Sequence, residues 1–265
     1  NIKSKKVITL HDIIPLRMPE TVSDRYLRIF NNELPKILKS CDGIITVSNF
    51  SKNDIAKEFN FPLENIYVTP LAAEDIYKPM SKCKSKDLII KKYGIQEDFI
   101  LYVGGFSPRK NILGLIEAYS NLSAKLRETF KLVITGRKGP SYDKYKNRAE
   151  ELHVSNNVIF TDFIPSEDMP LFYNATEVLV YPSFYEGFGL PPIEAMACGT
   201  PVIASNVTSL PEVCYESALF IDPNDIDSLS YAIERVLSNS WLRLTMVRKS
   251  LTRNKAFSWN KTALD

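Results

Sequence analysis

The chain has 265 residues and a formal net charge of +2, with 45% apolar and 24% charged residues. These values are ordinary for a globular protein and argue against a nucleic-acid-binding chain. Apolar runs stay well short of the ~20 residues that a membrane-spanning helix needs. The four cysteines are widely spaced without a metal-ligand pattern, which indicates a reducing compartment such as the cytoplasm.

Short runs rich in β-branched residues recur along the chain and alternate with stretches of helical period. The predicted strands are residues 6–10, 43–47, 66–69, 99–103, 131–135, 157–160, 177–181, 201–203 and 218–221. Helical spacing is clearest over 111–122 and 226–237. Strands that alternate with helices indicate an α/β fold with parallel sheets covered on both faces.

The predicted strands form two unequal series, divided by a polar, lysine-containing stretch at 70–86. The second series has the six strands of a complete doubly wound, Rossmann-like domain. The first has only three, and such a sheet would leave apolar surface without cover. We therefore expect one complete domain preceded by a partial Rossmann-like domain. Either the chain is a fragment, or another chain supplies the missing part.

The stretch YPSFYEGFGLPPIEAMACGTP, residues 181–201, concentrates groups suited to a nucleotide sugar. Glu186 is predicted in a loop made flexible by Gly187 and Gly189, and Glu194 in the first turn of a helix that starts near Pro191. The unpaired amides and dipole of a helix N-terminus favour a phosphate. The carboxylates on either side can accept hydrogen bonds from sugar hydroxyls. A nucleotide sugar fits this arrangement, because its phosphate lies between two polyols.

A second motif, GGFSPRKN, lies between a predicted strand and a predicted helix. Gly104 and Gly105 allow the backbone to approach a ligand closely. Arg109 and Lys110 can neutralise a diphosphate, one as a planar fork and the other as a point charge. The alternative is an exposed basic turn in which Asn111 caps the following helix.

These two motifs carry a resemblance to a known family. The run EGFGLPPIEAMACGTPVIA is similar to the carboxylate pair of retaining glycosyltransferases of family 4, which have the two-domain GT-B fold. The similarity extends over residues 100–239 and includes YVGGFSPRKN, KLVITGRKG, NVIFTDFIP and VLVYPS. The opening VITLHDIIPLRMPE resembles a loop of the mannosyltransferase-like branch.

The resemblance implies a role for each matching residue. Glu194 would hold the ribose hydroxyls and Glu186 the sugar hydroxyls. Arg109 and Lys110 would hold the diphosphate and stabilise charge on the leaving nucleotide. His11 matches the histidine that contacts the donor sugar near its reacting centre. The other expected donor-binding residues are Gly104, Gly105, Gly136, Arg137, Phe163, Ile164, Gly187, Phe188, Gly189 and Leu190.

The family also implies a domain organisation. Residues 1–79 would be a partial N-terminal, acceptor-side domain, and 80–256 the nucleotide-sugar-binding domain. Residues 257–265 resemble the terminal helix that crosses back to the N-terminal domain. In the family the N-terminal domain normally includes further residues and a glycine-rich loop upstream. We therefore expect this chain alone to bind nucleotide but to be a poor transferase.

Four other features are better explained by local structure. Asp225 and Asp227 have the D-x-D spacing of metal-dependent transferases, but they open a helical run, where one or the other suits a helix cap, so we expect no metal site. Ser48 is predicted as another N-cap. Asp162 stands where relatives commonly have Gly, in the loop that borders the base. The basic run over 243–255 suits a solvated helix face, with a membrane surface as the alternative.

The sequence thus predicts a retaining glycosyltransferase of GT-B fold, without a cofactor, that moves a hexose from a nucleoside diphosphate sugar. Mannose is one candidate sugar. The acceptor would be a glycan or glycolipid hydroxyl in cell-surface polysaccharide synthesis, in the cytoplasm or at the inner face of the membrane. A nucleotide-sugar-binding fragment without its own activity is the alternative, and an epimerase on the same fold is a third. Base, linkage and oligomeric state stay open.

Overall fold

The computed structural model describes residues 4–139 and 142–264, which form two parallel sheets of three and six strands. Residues 1–3 and 265, which the predicted domain ranges include, lie outside the described residues. All nine predicted strands are confirmed, with shifts of one or two residues at some ends. They are β1 Val7–Thr9, β2 Gly43–Thr46, β3 Ile66–Val68, β4 Asp98–Val103, β5 Phe130–Thr135, β6 Val158–Asp162, β7 Val178–Tyr181, β8 Val202–Ser205 and β9 Ala218–Ile221.

Helices connect the strands and cover the sheets. They are α1 Ile14–Arg17, α2 Asp24–Arg28, α3 Leu34–Leu38, α4 Asn49–Phe59, α5 Lys82–Tyr93, α6 Ile112–Ser120, α7 Ala124–Thr129, α8 Tyr142–Glu151, α9 Met169–Ala175, α10 Leu190–Cys198, α11 Leu210–Cys214, α12 Ile226–Ser238, α13 Ser240–Asn254 and α14 Trp259–Leu264. A π-helical segment, Ile29–Glu33, joins α2 to α3.

The small sheet has the order β1-β2-β3 and is covered on one face. Ile44 and Ile66 pair in register on that face and are buried with Ile55 of α4. On the other face Val7 is 52% and Tyr67 50% exposed. Strand residues alternate between the two faces, so these side chains lie opposite the buried Ile44 and Ile66 and form an apolar surface open to solvent.

The large sheet has the order β6-β5-β4-β7-β8-β9. Successive residues of β4 enter opposite cores: Ile100 and Tyr102 face one, and Phe99 and Leu101 face the other. Both faces are therefore apolar, as expected for a doubly wound sheet. The strand order reverses between β4 and β7, and this switch point opens a crevice at their carboxyl ends.

Local signals account for the helix boundaries. Asp225 caps α12 by accepting a hydrogen bond from the Ser228 amide at 2.9 Å, and Ser48 caps α4 by accepting one from the Ser51 amide at 3.0 Å. Both predicted caps are confirmed. The prediction of a connecting segment over residues 70–86 is partly wrong, because α5 begins at Lys82. Lys82, Lys84 and Lys86 stand on this helix, whose other side buries Ile89.

The terminal helix α14 returns to the segment that follows the small sheet. The Thr262 hydroxyl donates a hydrogen bond to the Pro70 carbonyl. The end of the chain is thereby tied to the connection between the two sheets.

We predict that Gly136→Ala destabilises the fold. Gly136 follows β5, has φ +156°, and a Cβ there would lie 1.9 Å from the Gly104 carbonyl oxygen. The neighbouring loops must separate to admit it, which should lower the free energy of unfolding by about 3 kcal/mol. Urea unfolding followed by circular dichroism measures the loss. Gly105→Ala is the control, because its Cβ would meet nothing within 4 Å. Equal losses in both variants would contradict this account.

Candidate functional site

The loops that follow β4 and β7 meet at the switch point. After β4, a 3₁₀ turn, Pro108–Lys110, carries the two cations of the second motif. Asn111 follows with φ +55°. The alternative prediction, that the Asn111 side chain caps α6, is wrong. Its amide instead donates to the Pro223 carbonyl at 2.7 Å. That bond ties the turn to the segment after β9.

A buried ionic cluster joins the two loops. The Glu186 carboxylate pairs with Lys110 at 2.6 Å and with Arg109 at 2.9 Å. Glu186 and Lys110 are only 5% and 7% exposed. Lys110 also donates to the Tyr181 hydroxyl at 2.6 Å, and Arg109 to the Tyr185 carbonyl at 2.9 Å. The predicted diphosphate ligands and the predicted sugar ligand therefore form one unit.

The cluster sets the charge state of Glu186. Burial raises the pKa of this carboxyl group, but the charges and hydrogen bonds of Lys110 and Arg109 outweigh burial and hold the pKa below its ordinary value. Because the folded-state pKa is depressed, the stability that this contributes is present at neutral pH. It is lost as the pH falls through the folded-state pKa.

A cavity of about 390 Å³ lies over the ionic cluster. We call it the Glu186 cavity, and residues of both sheets line it. Its lining includes His11, Asp12, Arg109, Lys110, Tyr181, Glu186, Gly187, Phe188, Gly189 and Leu190. His11 is exposed, and its carbonyl accepts a hydrogen bond from the Thr46 hydroxyl at 3.0 Å.

Asp12 is a site residue that the sequence analysis did not select. Its carboxylate accepts from the Ile14 amide at 3.0 Å and abuts Gly187, where a Cβ would lie 2.6 Å from Asp12 Oδ2. Burial raises the pKa of Asp12. Its position directly after His11 in the LHDIIP loop was the available signal. The contact with Gly187 joins residues far apart in the chain and leaves no local signature.

The position of Glu194 corrects one prediction. Helix α10 begins at Leu190, directly after Gly189 with φ +109°, so Glu194 lies in the second turn rather than the first. The Tyr173 hydroxyl donates to its carboxylate at 2.6 Å. Burial raises the pKa of Glu194. Glu194 does not line the Glu186 cavity, so the two carboxylates occupy different surroundings.

The remaining predicted site residues lie along the same edge of the large sheet. The Gly104 amide donates to the Thr135 carbonyl, and the Gly136 amide to the Asp162 carbonyl, each at 3.1 Å. The ends of β4, β5 and β6 are thus tied together. Gly105 follows Gly104 on the surface, and none of these residues lines the Glu186 cavity.

Asp162 joins two of these loops. It has φ +64°, and its carboxylate accepts from the amides of Lys138 at 3.1 Å and Phe163 at 2.9 Å. These amide bonds lower the pKa of Asp162. Phe163 is 58% exposed with the Arg137 guanidinium 5.7 Å from its ring centroid, whereas Ile164 is buried. Asp162 thus occupies a backbone conformation that favours glycine, and its side chain accepts hydrogen bonds that a glycine could not accept.

A larger cavity, about 500 Å³, lies at the opposite edge of the sheet. Its acidic residue, Glu177, pairs with Lys82 at 2.6 Å and Arg243 at 3.4 Å. The Asn174 amide bonds to the carbonyls of Lys78 and Pro170. Because these polar groups satisfy one another and the cavity lies at the amino ends of β7 and β8, we assign it no function.

Within residues 4–139 and 142–264 no group of three or more His, Cys, Asp or Glu side chains could hold a metal ion. Over the same ranges, no helix has the length and apolar character needed to cross a membrane.

Comparison with known proteins places the chain in a family. The family model for glycosyl transferases group 1 matches residues 85–253, and that for glycosyltransferase family 4 matches residues 3–73. The chain belongs to the group 1 glycosyl transferases. The O-antigen chain mannosyltransferase B of Escherichia coli is 38% identical over 96% of this chain, and the O-antigen chain mannosyltransferase RfbU of Salmonella typhimurium is 33% identical over 87%. The chain spans 67% and 60% of the lengths of these two relatives.

Solved structures confirm the GT-B fold expected from the sequence. The sucrose-phosphate synthase of Thermosynechococcus elongatus aligns with a TM-score of 0.82 at 26% identity, covering 97% of this chain and 65% of that one. Anabaena HepE in complex with UDP and glucose aligns with the same TM-score at 19% identity, covering 99% of this chain and 70% of that one.

We predict a strong coupling between Lys110 and Glu186 in a double-mutant cycle. Lys110→Met leaves the carboxylate with Arg109 alone and should lower the free energy of unfolding by about 3 kcal/mol. Combining it with Glu186→Gln should cost less than the sum of the single losses by at least about 1 kcal/mol. Urea unfolding measures all four proteins.

The control cycle uses Lys36→Met and Glu33→Gln, an ion pair whose side chains are 71% and 58% exposed. Its coupling should stay below about 0.5 kcal/mol because the pair is solvated. Additive losses at Lys110 and Glu186 would show that the buried pair carries no special coupling.

Proposed function

We propose that this group 1 glycosyl transferase is a retaining hexosyltransferase that uses a nucleoside diphosphate sugar. The observation that carries the proposal is the pairing of Glu186 with Arg109 and Lys110 at the switch point. Two fixed cations suit a diphosphate, and a carboxylate between them suits sugar hydroxyls. Ligands of doubly wound sheets bind in this crevice, beyond the carboxyl ends of the strands.

The ion pairs prepare the site for its donor. They hold Arg109 and Lys110 beside the cavity, so little reorganisation is needed when a diphosphate arrives. The diphosphate then shares the hydrogen bonds of both cations, and Glu186 oxygens become available to sugar hydroxyls. Glu194 accepts hydrogen bonds from the ribose, beyond the Glu186 cavity. His11 contacts the sugar from the small-sheet side.

In the reaction, the bond between the anomeric carbon and the diphosphate oxygen breaks, and its electron pair stays on that oxygen. Arg109 and Lys110 stabilise the charge that develops there, and no metal ion is required for this role. The acceptor hydroxyl oxygen bonds to the anomeric carbon on the same face, and its proton passes to the departing phosphate. Retention of configuration is an inference from the family resemblance.

The relatives support a choice of substrates. Two O-antigen chain mannosyltransferases are among them, so we propose mannose as the sugar and a growing glycan or lipid-linked glycan as the acceptor. Anabaena HepE was solved with UDP and glucose, which supports a nucleotide donor. We propose that the reaction serves cell-surface polysaccharide synthesis in the cytoplasm, at the inner face of the membrane.

One observation favours the alternative of donor binding without transfer. The second face of the small sheet exposes Val7 and Tyr67, so the described residues leave an apolar face open on the expected acceptor side. Measuring hexose transfer and donor binding separately distinguishes the two functions.

We predict different effects of the two glutamates on ligand binding, measured by calorimetry with GDP, UDP, GDP-mannose and UDP-glucose. Glu194→Ala should weaken binding of both free nucleotide and full donor about tenfold to a hundredfold, the cost of a charged hydrogen bond. Glu186→Gln should weaken only the full donor, because it frees Arg109 and Lys110 for the diphosphate. Equal losses of free-nucleotide affinity in the two variants would refute the assignment, and no binding by the native protein would refute the proposed function.

We predict that transfer retains the anomeric configuration and proceeds in excess EDTA. Nuclear magnetic resonance of the product gives its stereochemistry. Arg109→Lys should lower turnover more than donor affinity, because charge on the leaving phosphate peaks in the transition state. An inverted product contradicts the retaining mechanism. Activity that EDTA abolishes and Mn²⁺ restores contradicts the role given to the two cations.

A further inference from the structure

The N-terminus of α4 is capped from the other sheet. Glu212 of α11 accepts hydrogen bonds from the Asn49 amide at 2.8 Å and from the Phe50 amide at 3.0 Å. Its Oε1 also accepts from the Asn49 side chain at 2.8 Å. A carboxylate at this end is favoured by the helix dipole as well as by the unpaired amides. Glu212 thereby fixes α4 against the large sheet.

The same helix start holds the loop that carries Glu186. The hydroxyls of Ser48 and Ser51 both donate to the Gly187 carbonyl, at 2.7 and 3.1 Å. Each of these serines is only 1% exposed. The Gly187 carbonyl is therefore saturated by two buried donors from the small-sheet side.

The segment that leads to Glu212 holds the neighbouring carbonyls. The Ser209 hydroxyl lies 2.9 Å from the Glu186 carbonyl oxygen and 3.0 Å from that of Phe188. Thr208 Oγ1 accepts from the Glu186 amide at 3.1 Å. Three consecutive carbonyls of the loop are thus engaged by buried hydroxyls.

These contacts determine where the loop amides point. In a planar trans peptide, the N–H of one residue points opposite to the carbonyl of the residue before it. The amides of Gly187 and Gly189 therefore point away from Ser209, and the amide of Phe188 points away from Ser48 and Ser51. All three residues line the Glu186 cavity.

We propose that Glu212, acting through Ser48 and Ser51, is a positioning residue for the donor site. It fixes the start of α4 and, through the two serines, the Gly187 carbonyl. The Phe188 amide of the same peptide group is thereby presented to the sugar and diphosphate. This role rests on the proposed function, because it gives that amide a ligand. The linkage itself is a property of the protein without ligand.

Hydrogen exchange of the full chain without ligand tests the linkage. The peptide 183–189 contains two hydrogen-bonded amides, those of Phe184 and Glu186. Glu212→Ala, and separately Ser48→Ala with Ser51→Ala, should speed exchange there several-fold. Glu212→Gln should lie between Glu212→Ala and the native protein, because one acceptor oxygen remains. Glu216→Ala is the matched control, since Glu216 is exposed and pairs with Lys249 at 3.7 Å. Unchanged exchange in this peptide in both the Glu212→Ala and the double serine variant would overturn the proposal.

Calorimetry with GDP-mannose and UDP-glucose tests the consequence. Glu212→Ala should lower the affinity for the probe that binds by about tenfold, because a Phe188 amide that is no longer held in place loses its hydrogen bond to the charged donor. The melting temperature of each variant shows that it is folded. A folded Glu212→Ala protein with native donor affinity would also overturn the positioning role. If the native protein binds neither probe, the proposed function fails, and the exchange experiment still decides the linkage.

Discussion

The rest of the site depends on one interaction, the buried ion pairs that the Glu186 carboxylate makes with Lys110 and Arg109. An ionised carboxylate in the interior is costly unless cations and hydrogen bonds compensate it. Lys110 and Arg109 supply both, and they come from the loop after β4, whereas Glu186 comes from the loop after β7. The two loops must therefore meet. The reversal of strand order between β4 and β7 brings them together.

The small sheet completes the site from the other side. Asp12 adds a second carboxylate to the lining of the Glu186 cavity, and its contact with Gly187 leaves no room for a side chain there. Ser48, Ser51 and Glu212 join the same loop to α4. These contacts are polar, but apolar contacts join the two parts as well. Val47, which follows β2, is buried in one core of the large sheet, and the Phe50 ring packs edge-on against Tyr185 with the centroids 5.5 Å apart.

Much of the fold could be predicted from the sequence because its signals are local. Short β-branched runs bounded by turn residues predict every strand in the part of the chain that the structure describes, and Asp225 and Ser48 act as caps as expected. Local signals failed where backbone geometry was unusual. Asn111 adopts a left-handed conformation and bonds across the fold, and the left-handed Gly189 starts α10 earlier than its prolines suggest, which moves Glu194 out of the first turn.

The contacts that organise the site could not be read from the sequence for a different reason. Glu186 and Lys110 are 76 residues apart, and Glu212 and Asn49 are 163 apart. Motifs identified the chemical groups but not their partners, because pairing depends on which loops the strand order brings together. The site is thus a property of the topology as much as of its residues.

A carboxylate that looks free to bind sugar hydroxyls is already bound to the two cations beside it. Under the proposed function, donor binding is therefore an exchange of partners within a charged cluster, in which the diphosphate must compete with Glu186 for both cations. Sugar hydroxyls that bind the displaced carboxylate offset that competition. A complete donor can meet both requirements, whereas a free nucleotide meets only the first.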